Sequence, residues 1–212
     1  VLQAQGDVLA FLDQRSEALE KYEAALGLFR TVGDRLGEAN VLQAQGDVLQ
    51  FLKQTSEALE KYEAALGLFR TVGARLGEAN VLQAQGDVLA FLDQRSEALE
   101  KYEAALGLFR TVGDRLGEAN VLLELGDIKR KVKEYDQSWS YYDQVLDLYT
   151  AIGDQYSQAR VLYRMGDWKH EQNQVKEAAH LYQTAISLWQ AIGMDALADQ
   201  IILPRLQQLP KP

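Results

Sequence analysis

The side chains able to do chemistry in this chain are carboxylates, carboxamides and two histidines, and their spacing decides what they can do. Asp and Glu number 31 against 22 Lys and Arg, a net charge of −9. The carboxylates recur once per forty residues instead of converging as a pair. Solvated, ion-paired faces account for them better than general acid–base catalysis does. His170 and His180 fall on different predicted helices and lack a third partner for a metal. Cysteine is absent, which excludes disulfides, thiol nucleophiles and thiolate metal sites. The nearest approach to a phosphate loop, Gly27 to Gly33, has the wrong spacing and no Lys-Ser/Thr after it. The expectation is a non-catalytic chain with no cofactor and no metal. The carboxamides differ in kind. Asn40, Asn80 and Asn120 stand forty residues apart, and each carries a donor and an acceptor suited to the backbone of an extended segment.

The elements that hold these groups follow from the repeat. Residues 1–40 and 81–120 are identical. Residues 41–80 differ from them only at Gln50 for Ala10, Lys53 for Asp13, Thr55 for Arg15 and Ala74 for Asp34. Residues 121–160 and 161–200 keep the frame, with Gly126-Asp127 and Gly166-Asp167, Tyr142 and Tyr182, Gly153 and Gly193, but have drifted elsewhere. A fixed period of this length predicts a stacked array and not a fold built on distant contacts.

Each unit reads as two helices. From Ser56 to Val72 the apolar residues Ala58, Leu59, Tyr62, Ala65, Leu66, Phe69 and Val72 form one stripe. Ser56 is the expected N-cap, and Gly73 the left-handed stop. Asp114 and Asp154 are placed to cap the next helix, whereas Ala74 has no oxygen to do so. The other helix is expected from about Arg35 to Lys53. On a wheel of 100° per residue, Val41, Leu42, Val48, Leu49 and Leu52 share the core face. Asn40, Gln43, Asp47, Gln50 and Phe51 lie opposite, and Gly46 lies between, where a missing side chain admits a neighbouring helix.

The pattern Leu42-x-x-Gln45-Gly46-x-x-Leu49, followed by Ala58, Tyr62 and Ala65, resembles the tetratricopeptide repeat. The forty-residue period and the Gly33 to Ala39 junction resemble its longer variant, found in spindle-orientation scaffolds, kinesin light chains and bacterial signalling proteins. The resemblance implies an all-α fold, a right-handed α-solenoid of helix-turn-helix units at 1–40, 41–80, 81–120, 121–160 and 161–200. It departs in one place: Gln5, Gln45 and Gln85 precede the glycine where the family has Leu, and Leu125 and Met165 restore an apolar residue. Gln45 lies within the expected core face, so either its amide is hydrogen-bonded there, the next unit being one source of a partner, or this part of the stack is looser.

In the family the first helix of each unit lines a concave surface that binds extended peptides. The resemblance therefore implies a groove of Asn40, Gln43, Asp47, Gln50 and Phe51, then Asn80, Gln83, Asp87 and Phe91. It continues through Asn120, Leu123, Asp127, Arg130 and Lys131 to Arg160, Tyr163, Asp167 and His170. The basic residues Arg130, Lys131, Arg160 and Arg164 could orient the acidic end of a ligand toward the C-terminal half; the alternative is that Lys129, Arg130, Lys131 and Lys133, near a helix C-terminus, simply complement its dipole.

The implied partner is a protein or peptide. An acidic surface works against nucleic acid and anionic lipid, and no apolar run reaches about 18 residues, so no membrane span is expected. Residues 195–209 read as a capping helix, Ala196 to Leu209, interrupted by Pro204, with 201–212 as its end and tail. The start at Val1 inside the pattern leads us to expect a piece of a longer protein. Lack of cysteine fits a cytoplasmic location. Three roles are consistent with these features: an interaction scaffold, the sensor arm of a larger bacterial signalling protein, and a self-associating or engineered near-identical array. In the last, uncapped end faces at Leu2 and Leu9 would stack head-to-tail.

Overall fold

The computed structural model describes residues 1–210. Among them lie twelve helices and no strand: α1 (Leu2–Phe11), α2 (Arg15–Val32), α3 (Arg35–Phe51), α4 (Thr55–Val72), α5 (Arg75–Phe91), α6 (Arg95–Val112), α7 (Arg115–Lys131), α8 (Tyr135–Ile152), α9 (Gln155–Glu171), α10 (Val175–Ala191), α11 (Asp195–Ile201) and α12 (Leu203–Gln208). They form two compact units divided after Gly113. In the first, α1–α2, α3–α4 and α5–α6 pair as hairpins, and each hairpin packs on the next through α2–α3 and α4–α5. The second repeats this with α7–α8 and α9–α10, joined through α8–α9. This is the all-α helix-turn-helix solenoid class that the repeat predicts.

The boundaries have local causes. Gly73 ends α4 in the left-handed region at φ 72°, where its amide and the next reach back to the carbonyls of Arg70 and Phe69. Asp34, Asp114 and Asp154 accept backbone N–H bonds at the starts of α3, α7 and α9, and Ala74 makes no such bond at the start of α5. The expected cap Ser56 is a correction: α4 starts at Thr55 after Gln54, with no side-chain cap bond. The turn before it uses Lys53 at φ 61°, which lets the backbone reverse two residues earlier than the serine suggests. Pro204 also acts differently from its expected role. It sits in the first turn of α12, where its missing N–H costs nothing, so it begins a helix after α11 has ended.

The core is the apolar stripe of the second helices against the inner face of the first. Ala58, Tyr62, Ala65, Leu66 and Phe69 are buried with Val41, Leu42, Val48 and Leu49. Leu52 and Val72, expected inside, are 42% and 41% exposed, Leu52 being the C-cap of α3 and Val72 the last residue of α4. In the second unit Trp189 is fully buried among Leu162, Tyr182, Ala198 and Ile202, so α11 and α12 cover the apolar face of α10.

Candidate functional site

A glycine, a tyrosine and an aspartate fix each first helix on its partner. A Cβ at Gly46 would stand 2.5 Å from Cε1 of Tyr62, so only glycine lets that ring lie flat against α3. The ring then delivers its hydroxyl to the next residue: Tyr62 donates to Asp47 Oδ1 at 2.7 Å. Tyr22–Asp7 (2.8 Å), Tyr102–Asp87 (2.7 Å) and Tyr182–Asp167 (2.7 Å) make the same bond, as do Tyr142 and Asp127. Burial is the main force raising the Tyr22, Tyr62, Tyr142 and Tyr182 hydroxyls above their ordinary pKa near 10, and the aspartate charge adds to it. The aspartates that the sequence places in the groove therefore have one oxygen turned inward. This bond is readable in principle, since the Asp-to-Tyr spacing is 15 residues in all five copies.

In the first unit the outer face of α3 and α5 is open. Asn40 is exposed, and Asn80, Gln43, Gln83, Gln50 and Asp87 are half-buried. Phe51 and Phe91 are each 65% exposed. A pocket of about 440 Å³ lies between the ends of the two helices, lined by Asp47, Gln50, Phe51, Lys53, Thr55, Asp87, Val88 and Phe91. Five of these are residues the sequence places in the groove. Lys53, Thr55 and Val88 are additions, although two of them are among the few positions where the second copy departs from the first. The Gln50 amide oxygen lies 2.8 Å from the Tyr62 hydroxyl. Asp47 is accessible at the pocket rim, yet the protein around it removes enough water to push its pKa up, against the pull of the Tyr62 hydrogen bond. The guanidinium of Arg15 stacks on Phe51, 3.3 Å from the ring centroid, and pairs with Asp13.

Beneath this face, Gln45 and Gln85 are buried, as the wheel places them. Their amides donate at 3.1 Å to Glu23 and Glu63 on the second helix of the preceding hairpin, not to the following one. The Oε1 of each is buried with no partner among the described residues.

In the second unit the corresponding face is taken up by the protein itself. Asn120 accepts from the Tyr149 hydroxyl at 2.7 Å. At that repeat position the first unit has Phe69 and Phe109, which offer no hydroxyl to Asn40 and Asn80. Asp127 accepts a second bond from Arg164 at 2.7 Å, Arg130 pairs with Glu171 at 2.7 Å, and Arg205 pairs with Asp167 at 2.8 Å. Two expectations are corrected by these contacts. Leu123 is 1% exposed and faces no groove, because the wheel gives direction but not what packs over it. Arg130 and Arg164, expected to await a ligand's acidic end, already hold carboxylates of their own chain. Lys131 is exposed, while Arg160, Tyr163 and His170 are half-buried. A smaller pocket of about 360 Å³ gathers Arg130, Asp167, His170, Glu171 and Arg205. Burial pushes the nearby Glu124 carboxyl up, with Asp127 adding to it and Arg164, Arg160 and Lys131 opposing.

No cluster of three metal-ligating side chains occurs among the described residues, and none of their helices is long and apolar enough to cross a membrane.

The family model described as "Tetratricopeptide repeat" matches residues 1–71 and 117–191. Comparison with curated protein sequences gives no match. Among solved structures, aspartyl phosphate phosphatase F from Bacillus subtilis superposes with a TM-score of 0.82 at 15% identity, over 98% of this chain and 53% of that one. A Rap protein complexed with competence and sporulation factor gives 0.79 at 15% identity, over 98% and 61%. YrrB, described as a repeat protein of this kind with an unusual peptide-binding site, gives 0.58 at 18% identity, over 94% and 91%. At these identities the likeness is one of fold.

Proposed function

The chain belongs to the tetratricopeptide repeat family, and we propose that it is a non-catalytic interaction scaffold that holds an extended segment of a partner protein against the first-helix face of residues 1–113. One observation carries the reading. The carboxamides of Asn40 and Asn80 face no hydroxyl like that of Tyr149, and they sit on the same two helices as a 440 Å³ pocket lined by aromatic rings and carboxylates. Donor–acceptor side chains repeated along successive first helices match the alternating N–H and C=O groups of an extended backbone. The peptide-binding site in the printed description of YrrB and the factor complexed with the Rap protein are consistent with such use of the fold. In this reading residues 1–200 are five forty-residue units, and the binding face is concentrated in the near-identical ones.

The experiment is a capture from source lysate with the parent chain, with Asn40→Ala/Asn80→Ala, and with Asn120→Ala, read by mass spectrometry. The reading expects partners lost by the double variant and kept by Asn120→Ala. Identical capture by all three would sink it.

A further inference from the structure

The second copy of the unit departs from the first and third at four positions, and three of them, Gln50, Lys53 and Thr55, line one pocket. Across three units otherwise identical residue for residue, three of the four differences gather at one place. We infer that this pocket receives an arginine side chain of the bound segment, stacked on Phe91; the inference rests on the peptide-scaffold reading above.

The chain itself displays the chemistry. Arg15 lays its guanidinium on Phe51, 3.3 Å from the ring centroid. Moved forward by one period, Phe91 replaces Phe51 and Thr55 replaces Arg15. Threonine is too short to reach the ring, so the place held by a guanidinium in one copy is vacated in the next. The pocket walls there carry Asp47 and Asp87 against the single ammonium of Lys53. That balance favours a cation in a chain whose net charge is already −9. A planar guanidinium meets both demands at once, stacking on the aromatic face and hydrogen-bonding to carboxylates at its edge. Lysine would satisfy the charge without the stack. Gln50, beside the Tyr62 hydroxyl at 2.8 Å, adds an amide at the rim for the backbone of the same segment.

The test is built into the repeat. Thr55→Arg puts back the residue found at positions 15 and 95, here beside Lys53 instead of the aspartate that pairs with it in those copies. A random heptapeptide library on phage is selected against the full chain. The best binder is made with a fluorophore and titrated by polarisation against the parent, Thr55→Arg, Phe91→Ala and Asn40→Ala/Asn80→Ala. The expected result is an arginine common to the selected peptides. Binding should weaken about tenfold in Thr55→Arg and in a peptide with citrulline for that arginine, a change of about 1.4 kcal/mol. Selected peptides without arginine, or affinity unmoved by Thr55→Arg and citrulline while Asn40→Ala/Asn80→Ala still weakens it, would overturn the arginine pocket and leave the scaffold reading standing. No selected binder, or binders indifferent to every first-helix variant, would overturn both.

Discussion

Residues 1–113 and 114–210 are built on one frame and use their outer faces differently. The Gly–Tyr–Asp fastening is the same in both. Around it, the drifted unit has acquired Tyr149 for Asn120, Arg164 for Asp127, Glu171 for Arg130 and Arg205 for Asp167. It has also gained an aromatic contact, with the Trp139 and Trp168 rings 4.9 Å apart. In the near-identical unit Phe69 and Phe109 stand where the drifted one has Tyr149, Gln83 stands where it has Leu123, and a pocket lies between α3 and α5. A copied helix brings only its own copied side chains, so new complementary partners on successive first helices arise only once copies diverge. The difference teaches that polar groups on this face are either internal cement or open to a ligand, and that drift is what converts one into the other.

Alkaline pH should break both units together and has the largest expected effect. The buried tyrosines hold their protons above the ordinary range near 10 in the folded state. Above that value the unfolded chain releases them and the folded chain does not. The stability they give is therefore complete below about pH 10 and is lost as pH rises further. Circular dichroism from pH 8 to 12 should show cooperative loss of helix above pH 10. Full helicity at pH 12 would refute the point.

The second way separates the units. Asp127→Ala strips partners from both Tyr142 and Arg164, and Arg164 is only 15% exposed. The cost should be about 3 kcal/mol. Asp47→Ala removes one bond beside an open pocket and should cost about 1 kcal/mol. Urea unfolding of the two variants measures the gap, and equal costs would erase the contrast between the units. Gly46→Ala follows at about 2 kcal/mol, because the Tyr62 ring cannot clear a methyl group only 2.5 Å away without leaving Asp47.

Two changes should make the first unit more like the second. Gln45→Leu, the residue at position 125, removes a buried amide oxygen with no partner among the described residues and should raise stability by about 1 kcal/mol. Ala74→Asp restores the cap seen at Asp34 and Asp114 and should add about 0.5–1 kcal/mol. A drop in melting temperature for either would show that the drifted unit is a poor guide to the copied one.

The helices and the core stripe are legible in the sequence because every copy repeats the same period, so Tyr62, Phe69 and Leu42 can be placed from one unit alone. The direction of Gln45 is equally clear, yet its partner Glu23 is not, since a wheel has no account of the hairpin packed beneath it. Leu123 and Arg164 mislead for the same reason: their faces point outward from the helix but not away from the protein. The start of α4 after Gln54 escapes a reading by composition, because Lys53 adopts a left-handed turn that no rule of composition demands. The pocket is half visible, its rings and carboxylates from the resemblance, its threonine only as an unexplained difference between copies.

The tyrosine–aspartate bond also bears on how such a chain comes to exist. Its two ends are 15 residues apart and belong to one hairpin. Contacts this local close quickly and with little entropy lost to long loops, so folding can nucleate within a hairpin and gain stability as its neighbours dock. A duplicated stretch of forty residues therefore arrives with both halves of its own fastening, and the gene can lengthen by whole copies before any residue has to adapt.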